Sequence, residues 1–160
     1  MSIRAQVRLD GARGDEGAAV CVRGSWALAM SHALEIAVDG GLWFRIANQY
    51  QRIATTDLRP MDEDVILQLD AIGQTIRGWA WRAGETMPAT PLVTRTTILL
   101  PTGCPAVYYS PNTTPQGTSG TAIYRYVHVA NTSIPEPSTI ILLAVGFAGI
   151  WWRRRFGGGT

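Results

Sequence analysis

Ile3, Ala5, Val7 and Leu9 alternate with Ser2, Arg4, Gln6 and Arg8, the period of two that turns one face of a β-strand toward a core. His32, Leu34, Ile36 and Val38 alternate in the same way with Ala33, Glu35, Ala37 and Asp39. After Asp39-Gly40-Gly41, the positions Leu42, Phe44 and Ile46 alternate with Trp43, Arg45 and Ala47. Two such runs joined by Asp-Gly predict a hairpin. Val65, Leu67 and Leu69 lead into a turn at Gly73-Gln74, and Thr75–Ala83 resumes as a strand. Residues 106–109 and 121–130 are the last two predicted strands. Leu42, Ile46, Tyr50 and Ile53 also fit helical spacing, but the Asp-Gly-Gly turn before them and Thr55-Thr56 after them favour strand over 42–54. Repeated short strands at intervals of about 8–12 residues predict an all-β body, an antiparallel sandwich.

The two ends of the chain behave differently. Residues 18–30 are fairly apolar, yet Asp15 and Glu16 precede them and Arg23 interrupts them, which makes a poor signal peptide. Ile140–Trp152 is an uncharged run followed directly by Arg153, Arg154 and Arg155. As a helix it rises roughly 20 Å against a hydrocarbon core of about 30 Å. Including Ser138 and Thr139, and letting the arginines snorkel, narrows that gap. As a helix the run 140–152 is apolar all round and has no polar face to turn to water, unlike a core helix at the end of a domain. Trp151 and Trp152 stand where interfacial aromatics belong. The segment therefore predicts one weakly inserting transmembrane helix. The arginine cluster would be cytoplasmic, with residues 1–133 on the far side.

Composition sharpens this division. The chain has 160 residues, 46% of them hydrophobic and only 16% charged, which excludes a disordered chain. Its 14 basic residues are all arginine. Three of them sit in the tail, and residues 1–133 carry equal numbers of arginines and acids. A neutral body offers no electrostatic footprint for nucleic acid.

Pro135, Glu136, Pro137, Ser138 and Thr139, then the apolar run, then Arg153-Arg154-Arg155, resemble the PEP-CTERM sorting signal of bacterial exported proteins. The three parts occur in order and at the expected spacing. The resemblance implies processing by an exosortase, a membrane-embedded cysteine transpeptidase or protease, with the inner membrane as a station in transit. The physical logic agrees. Two prolines fix φ and withhold two backbone donors, keeping the segment extended. Glu136 adds one negative charge that a basic pocket can read. The alternative is an ordinary stiff linker. The domain division is then a body over 1–131 and a sorting tail over 132–160.

Gly78-Trp79-Ala80-Trp81-Arg82-Ala83-Gly84-Glu85, with Tyr124–Ala130, is similar to the concanavalin-like, laminin-G-like jelly rolls fused to such tails. The early strands of a complete jelly roll are not evident ahead of Ile3, and Met1-Ser2-Ile3-Arg4 supplies no export signal. The expectation is the C-terminal part of a longer protein, its sandwich incomplete, with an open sheet edge beside Ile3–Leu9.

Little else carries chemistry. Cys21 and Cys104 are the only cysteines and lack zinc-site spacing. They are either two small buried hydrophobes or, in an exported body, one disulfide. His32 and His128 lie in strand patterns without a metal partner, and Asp62-Glu63-Asp64 lacks the order of a calcium loop. No metal site and no cofactor are expected. Ser25 lacks the second glycine of a nucleophile elbow, and no phosphate-cradling loop occurs. Trp79 and Trp81 share one strand face with Arg77, either packed in a core or offering a sugar-stacking platform. A glycoside hydrolase needs two facing carboxylates, and nothing pairs Glu35 with Glu85. The reading is a non-enzymatic exported surface or extracellular-matrix protein. The alternative is a carbohydrate-binding module whose partner is extracellular polysaccharide.

Overall fold

Alternation becomes two sheets in the computed structural model, which describes residues 1–14, 16–25, 30–47, 49–97, 103–110 and 120–131. The strands are β1 (Ser2–Asp10), β2 (Gly17–Ser25), β3 (Met30–Ala37), β4 (Gly41–Ala47), β5 (Gln49–Thr55), β6 (Val65–Ile72), β7 (Thr75–Arg82), β8 (Val93–Thr96), β9 (Cys104–Ser110) and β10 (Thr121–Ala130). One five-stranded sheet runs β10-β1-β6-β7-β8 (sheet A), and the other runs β5-β4-β3-β2-β9 (sheet B). Every pairing is antiparallel. Ile3, Ala5, Val7, Leu9, Val65, Leu67, Leu69, Ile76 and Ala80 from sheet A meet Ala18, Val20, Val22, Leu34, Ile36, Leu42 and Phe44 from sheet B in a single core. The all-β sandwich is thus as predicted, and the described residues contain no helix. The helix expected over 138–152 lies outside the described residues, as do Pro135–Thr139 and Arg153–Arg155.

Two expectations change. The segment 42–54 is two strands rather than one, β4 and β5 pairing from Gly41↔Thr55 to Ile46↔Gln49. The open edge expected beside Ile3–Leu9 is not there. β1 pairs with β10 on one side and β6 on the other, with Ile3 opposite both Val129 and Leu69. The Met1 ammonium donates to Ala71 O at 2.9 Å and to Asn131 O at 3.2 Å, tying the start of β1 to the ends of both neighbours.

Two strands escaped the sequence pattern. β8 is only Val93–Thr96. β2 is buried on both faces, with Ala18, Ala19, Val20, Cys21 and Val22 all at most 2% exposed. A strand covered on both sides carries no polar alternation, so it reads as a continuous apolar run.

The sandwich is latched along one side. Tyr124 projects from β10 toward the core side, opposite Val7. Its hydroxyl accepts a hydrogen bond from Ala19 N at 3.1 Å, with Ala19 O at 2.9 Å and Tyr108 O at 2.8 Å as acceptors for its proton. Because Ala19 and Tyr108 are register partners on β2 and β9, this phenol joins sheet A to the backbone ladder of sheet B. Burial pushes the Tyr124 phenol up. Arg125, the next residue, is the extra one at a β10 bulge, and its Nε meets Asp64 Oδ2 at 2.6 Å. Bulges and charges of this kind discourage edge-to-edge pairing.

Candidate functional site

The outer face of sheet A was the first candidate, through Trp79 and Trp81. Their register partners, Gln68 and Ile66, lie outside the core, while the alternate positions Gly78 and Ala80 face inward. A Cβ on Gly78 would stand 2.8 Å from Val93 Cγ1 and 3.3 Å from Leu34 Cδ2. The tryptophans therefore point away from the core, as a platform requires. They are nevertheless only 6% and 5% exposed, so neither of the two rings presents a face to a sugar. Arg4 lies over the Trp81 ring at 5.4 Å, and its guanidinium also reaches Gln68 Oε1 at 2.6 Å and Met87 Sδ at 3.5 Å. Gln68 Nε2 in turn donates to Asp70 Oδ1 at 3.1 Å. This is a packed polar layer on a sheet surface. A depression of about 110 Å³ lined by Asp70, Ile72, Thr75 and Arg77 sits at the β6–β7 hairpin, well below the roughly 300–1,000 Å³ of ordinary ligand pockets.

The outer face of sheet B is the second candidate. Small side chains, Ala19, Ala33 and Ala37, make a flat floor on β2 and β3. Glu35 rises from that floor opposite Trp43, its Oε1 close over Gly17, and is only 5% exposed. Arg45 Nη1 donates to Tyr50 Oη at 3.3 Å and stacks on its ring at 5.1 Å. Arg52 stacks on Trp43 at 5.8 Å while pairing with Asp39 at 2.7 Å. The Tyr108 hydroxyl is buried beside Tyr50, Glu35 and Arg45, and its phenol is pushed up, by burial first and then by Tyr50. With Glu35 and the Tyr108 hydroxyl buried, and Arg45 and Arg52 engaged by Tyr50, Trp43 and Asp39, this face too is a packed polar layer. The signal was present in the sequence as the outward half of the β3–β4 alternation. What tied Tyr50 and Tyr108 to it was the strand order.

The remaining candidates fall into structural roles. Glu63 takes a hydrogen bond from Arg59 N at 2.8 Å and meets Arg82 Nε at 2.9 Å. Asp64 accepts from Gln6 Nε2 at 2.8 Å and pairs with Arg125. The acidic turn is thus turned to arginines. Glu35 lies on sheet B, whereas Glu85 follows β7 of sheet A beside Arg82 at 3.9 Å, so the two do not face across one cleft. His128 is exposed on β10, opposite Arg4. Cys21 and Cys104 are both free thiols, the first buried and the second exposed.

His32 shares the inward parity of Leu34 and Ile36 and is fully buried, and neither ring nitrogen has a hydrogen-bond partner among the described residues. Burial, and then the Arg23 charge, hold its imidazole below the ordinary value. Arg23 itself spans the end of the sandwich, donating to Gly73 O. A histidine titrating lower in the fold than in the unfolded chain leaves stability intact above about pH 6.5. As pH falls through that value, the unfolded chain takes up a proton that the native state refuses. The expected loss has a limiting slope of about 1.4 kcal/mol per pH unit until the native imidazole titrates. Urea midpoints measured from pH 7.5 downward should show this component, and His32→Leu should remove it. An unchanged slope in that variant would assign the acid sensitivity elsewhere.

Against known families, residues 133–155 match the PEP-CTERM protein-sorting motif. The chain therefore carries that sorting signal immediately after β10. No curated protein matches the chain as a relative.

Proposed function

We propose that this is a non-enzymatic exported bacterial protein of the cell surface or extracellular matrix, held in transit by its tail and processed by an exosortase. The observation that carries the proposal is the sorting motif over 133–155. In this reading the hydrophobic helix over 138–152 enters the inner membrane. Arg153, Arg154 and Arg155 stay on the cytoplasmic side, as the positive-inside preference requires. Glu136 and its flanking prolines are presented in extended form to the enzyme, and cleavage releases the sandwich. The body is a concanavalin-like jelly roll, for which the two five-stranded antiparallel sheets are the support. A structural rather than catalytic role accords with acids engaged by arginines and with Glu35 and Glu85 on different sheets.

The test is a comparison of two hosts. The chain, preceded by a bacterial signal peptide, is expressed in an exosortase-bearing strain and in the same strain lacking the exosortase gene. The expected result is a shortened form outside the cell in the first and a full-length, membrane-bound form in the second. Identical products in both strains would overturn the proposal.

A further inference from the structure

We infer that Cys21 and Cys104 close a disulfide across the β2–β9 ladder of the exported protein. The inference takes its oxidising surroundings from the export reading and its geometry from the register. Cys21 stands opposite Ala106, and Gly24 opposite Cys104, so three steps along β2 match two along β9. The surplus falls at Val22 and Arg23, where Arg23 adopts φ 54°. Pro105 lies opposite this irregularity and has no N–H to leave unpaired there.

Both thiols are carried on one face. Val20 and Val22 belong to the core, so Cys21 between them is turned to the outer face of sheet B. Cys104 is two residues from Ala106, the direct partner of Cys21, and so lies on the same face of β9. The space between them is marked by Gly24. A Cβ there would stand 3.2 Å from Cys21 Sγ and 3.3 Å from Cys104 O. Thiol, glycine and the Cys104 backbone thus converge on one point, where no other side chain of the described residues approaches that closely. Diagonal neighbours in a regular ladder are roughly 7–8 Å apart, slightly beyond the usual disulfide span of about 4.4–6.8 Å. The bulge and the bare Gly24 are the local features that admit the remaining approach.

The two sulfurs differ in access, which sets the order of events. Cys104 is exposed. Cys21 is buried, its thiol directed at Val22 O at 3.6 Å and pushed up by burial. With glutathione disulfide as oxidant, the Cys104 thiolate attacks one sulfur, breaks the S–S bond and releases one glutathione thiolate. Cys21 then gives up its proton to solvent and attacks Cys104 Sγ, expelling the second glutathione. Two protein thiols are oxidised and one small disulfide is reduced to two thiols. The bond closes a long loop containing β3 to β8 and clamps edge strand β9 where its ladder is irregular.

The experiment uses the purified full chain, incubated natively with glutathione disulfide, blocked with maleimide and mapped as peptides. The expected result is a Cys21–Cys104 cross-linked peptide and a Tm roughly 5–15 °C above that of the reduced chain. Cys104→Ser, at an exposed position, should abolish the oxidation-dependent rise. A glutathione adduct on Cys104 with Cys21 still free overturns the inference, as does a rise that persists in Cys104→Ser. Cross-linking in the tube does not depend on export. A chain that cross-links but is never exported sinks only the export reading. A chain exported with both thiols free sinks only the bridge.

Discussion

The variant Glu136→Ala/Pro137→Ala, in an exosortase-bearing host, is expected to accumulate as the uncleaved, membrane-held chain. Both substitutions fall inside the matched sorting motif, just beyond β10, whose last residue is Ala130. Pro137 fixes its own φ and biases Glu136 away from helix, so the segment meets an enzyme already extended and loses little entropy on binding. Alanine at both positions removes the φ restraint of Pro137 and puts two good helix formers into the recognition segment. Removing Glu136 also deletes the only acidic side chain of residues 132–160. A hydrogen bond to a charged group contributes roughly 1.5–3 kcal/mol, equivalent to about one to two orders of magnitude in processing rate. Pulse-chase blotting of the precursor measures this directly. Processing at the parental rate would show that the enzyme reads neither the charge nor the extended backbone.

Phe44→Ala is expected to destabilise the body by about 3–5 kcal/mol, the range for emptying a buried phenylalanine site. Phe44 is 2% exposed, lies on the core face of β4 opposite Leu34, and is among the largest fully buried side chains. Leu34 also packs toward Gly78 of sheet A, so the cavity would open between the sheets rather than at a rim that can collapse. Domains of this size are stable by roughly 5–15 kcal/mol, so the variant forfeits a large share of the total. Urea unfolding of the full chain should show the midpoint falling with an unchanged slope. Ile123→Ala, at a side chain 41% exposed on β10, is the control, with a change within about 0.5 kcal/mol. Equal effects from the two variants would mean that Phe44 is not packed as described.

The tail was legible because its information is local. Three consecutive features of a short segment make the sorting signal, and no distant residue is needed to read them. The hairpin at Asp39-Gly40-Gly41 was legible for the same reason. Gly40 takes φ +77° there, and Asp39 Oδ1 accepts from Gly41 N at 2.8 Å, both properties of the dipeptide itself. The alternation of β1 likewise predicted its inner residues, Ile3, Ala5, Val7 and Leu9, all four buried.

Sheet order was not legible. Alternation tells which side of a strand is covered and says nothing about which strand lies beside it. That is why β1 read as an exposed margin yet sits between β10 and β6. It is also why Trp79 and Trp81 read equally as core packing or as a platform. Their parity is outward, as the alternation allows, but Arg4 of β1, two strands away in the sheet, lies over Trp81. β2 was missed because burial on both faces erases the period that marks a strand.

By itself, then, the sequence determined the β character of the body, its turns, the inward residues of its alternating strands and the sorting tail. These rest on steric and hydrophobic preferences expressed within a few consecutive residues. Only the tertiary structure decided that Glu35, Tyr50 and Tyr108 share a face, that Tyr124 latches the two sheets, and that Cys21 and Cys104 flank Gly24. Each of these depends on long-range register, and register is set by the fit of whole hydrophobic faces and by bulges. Residues distant in sequence become neighbours only once those faces have closed.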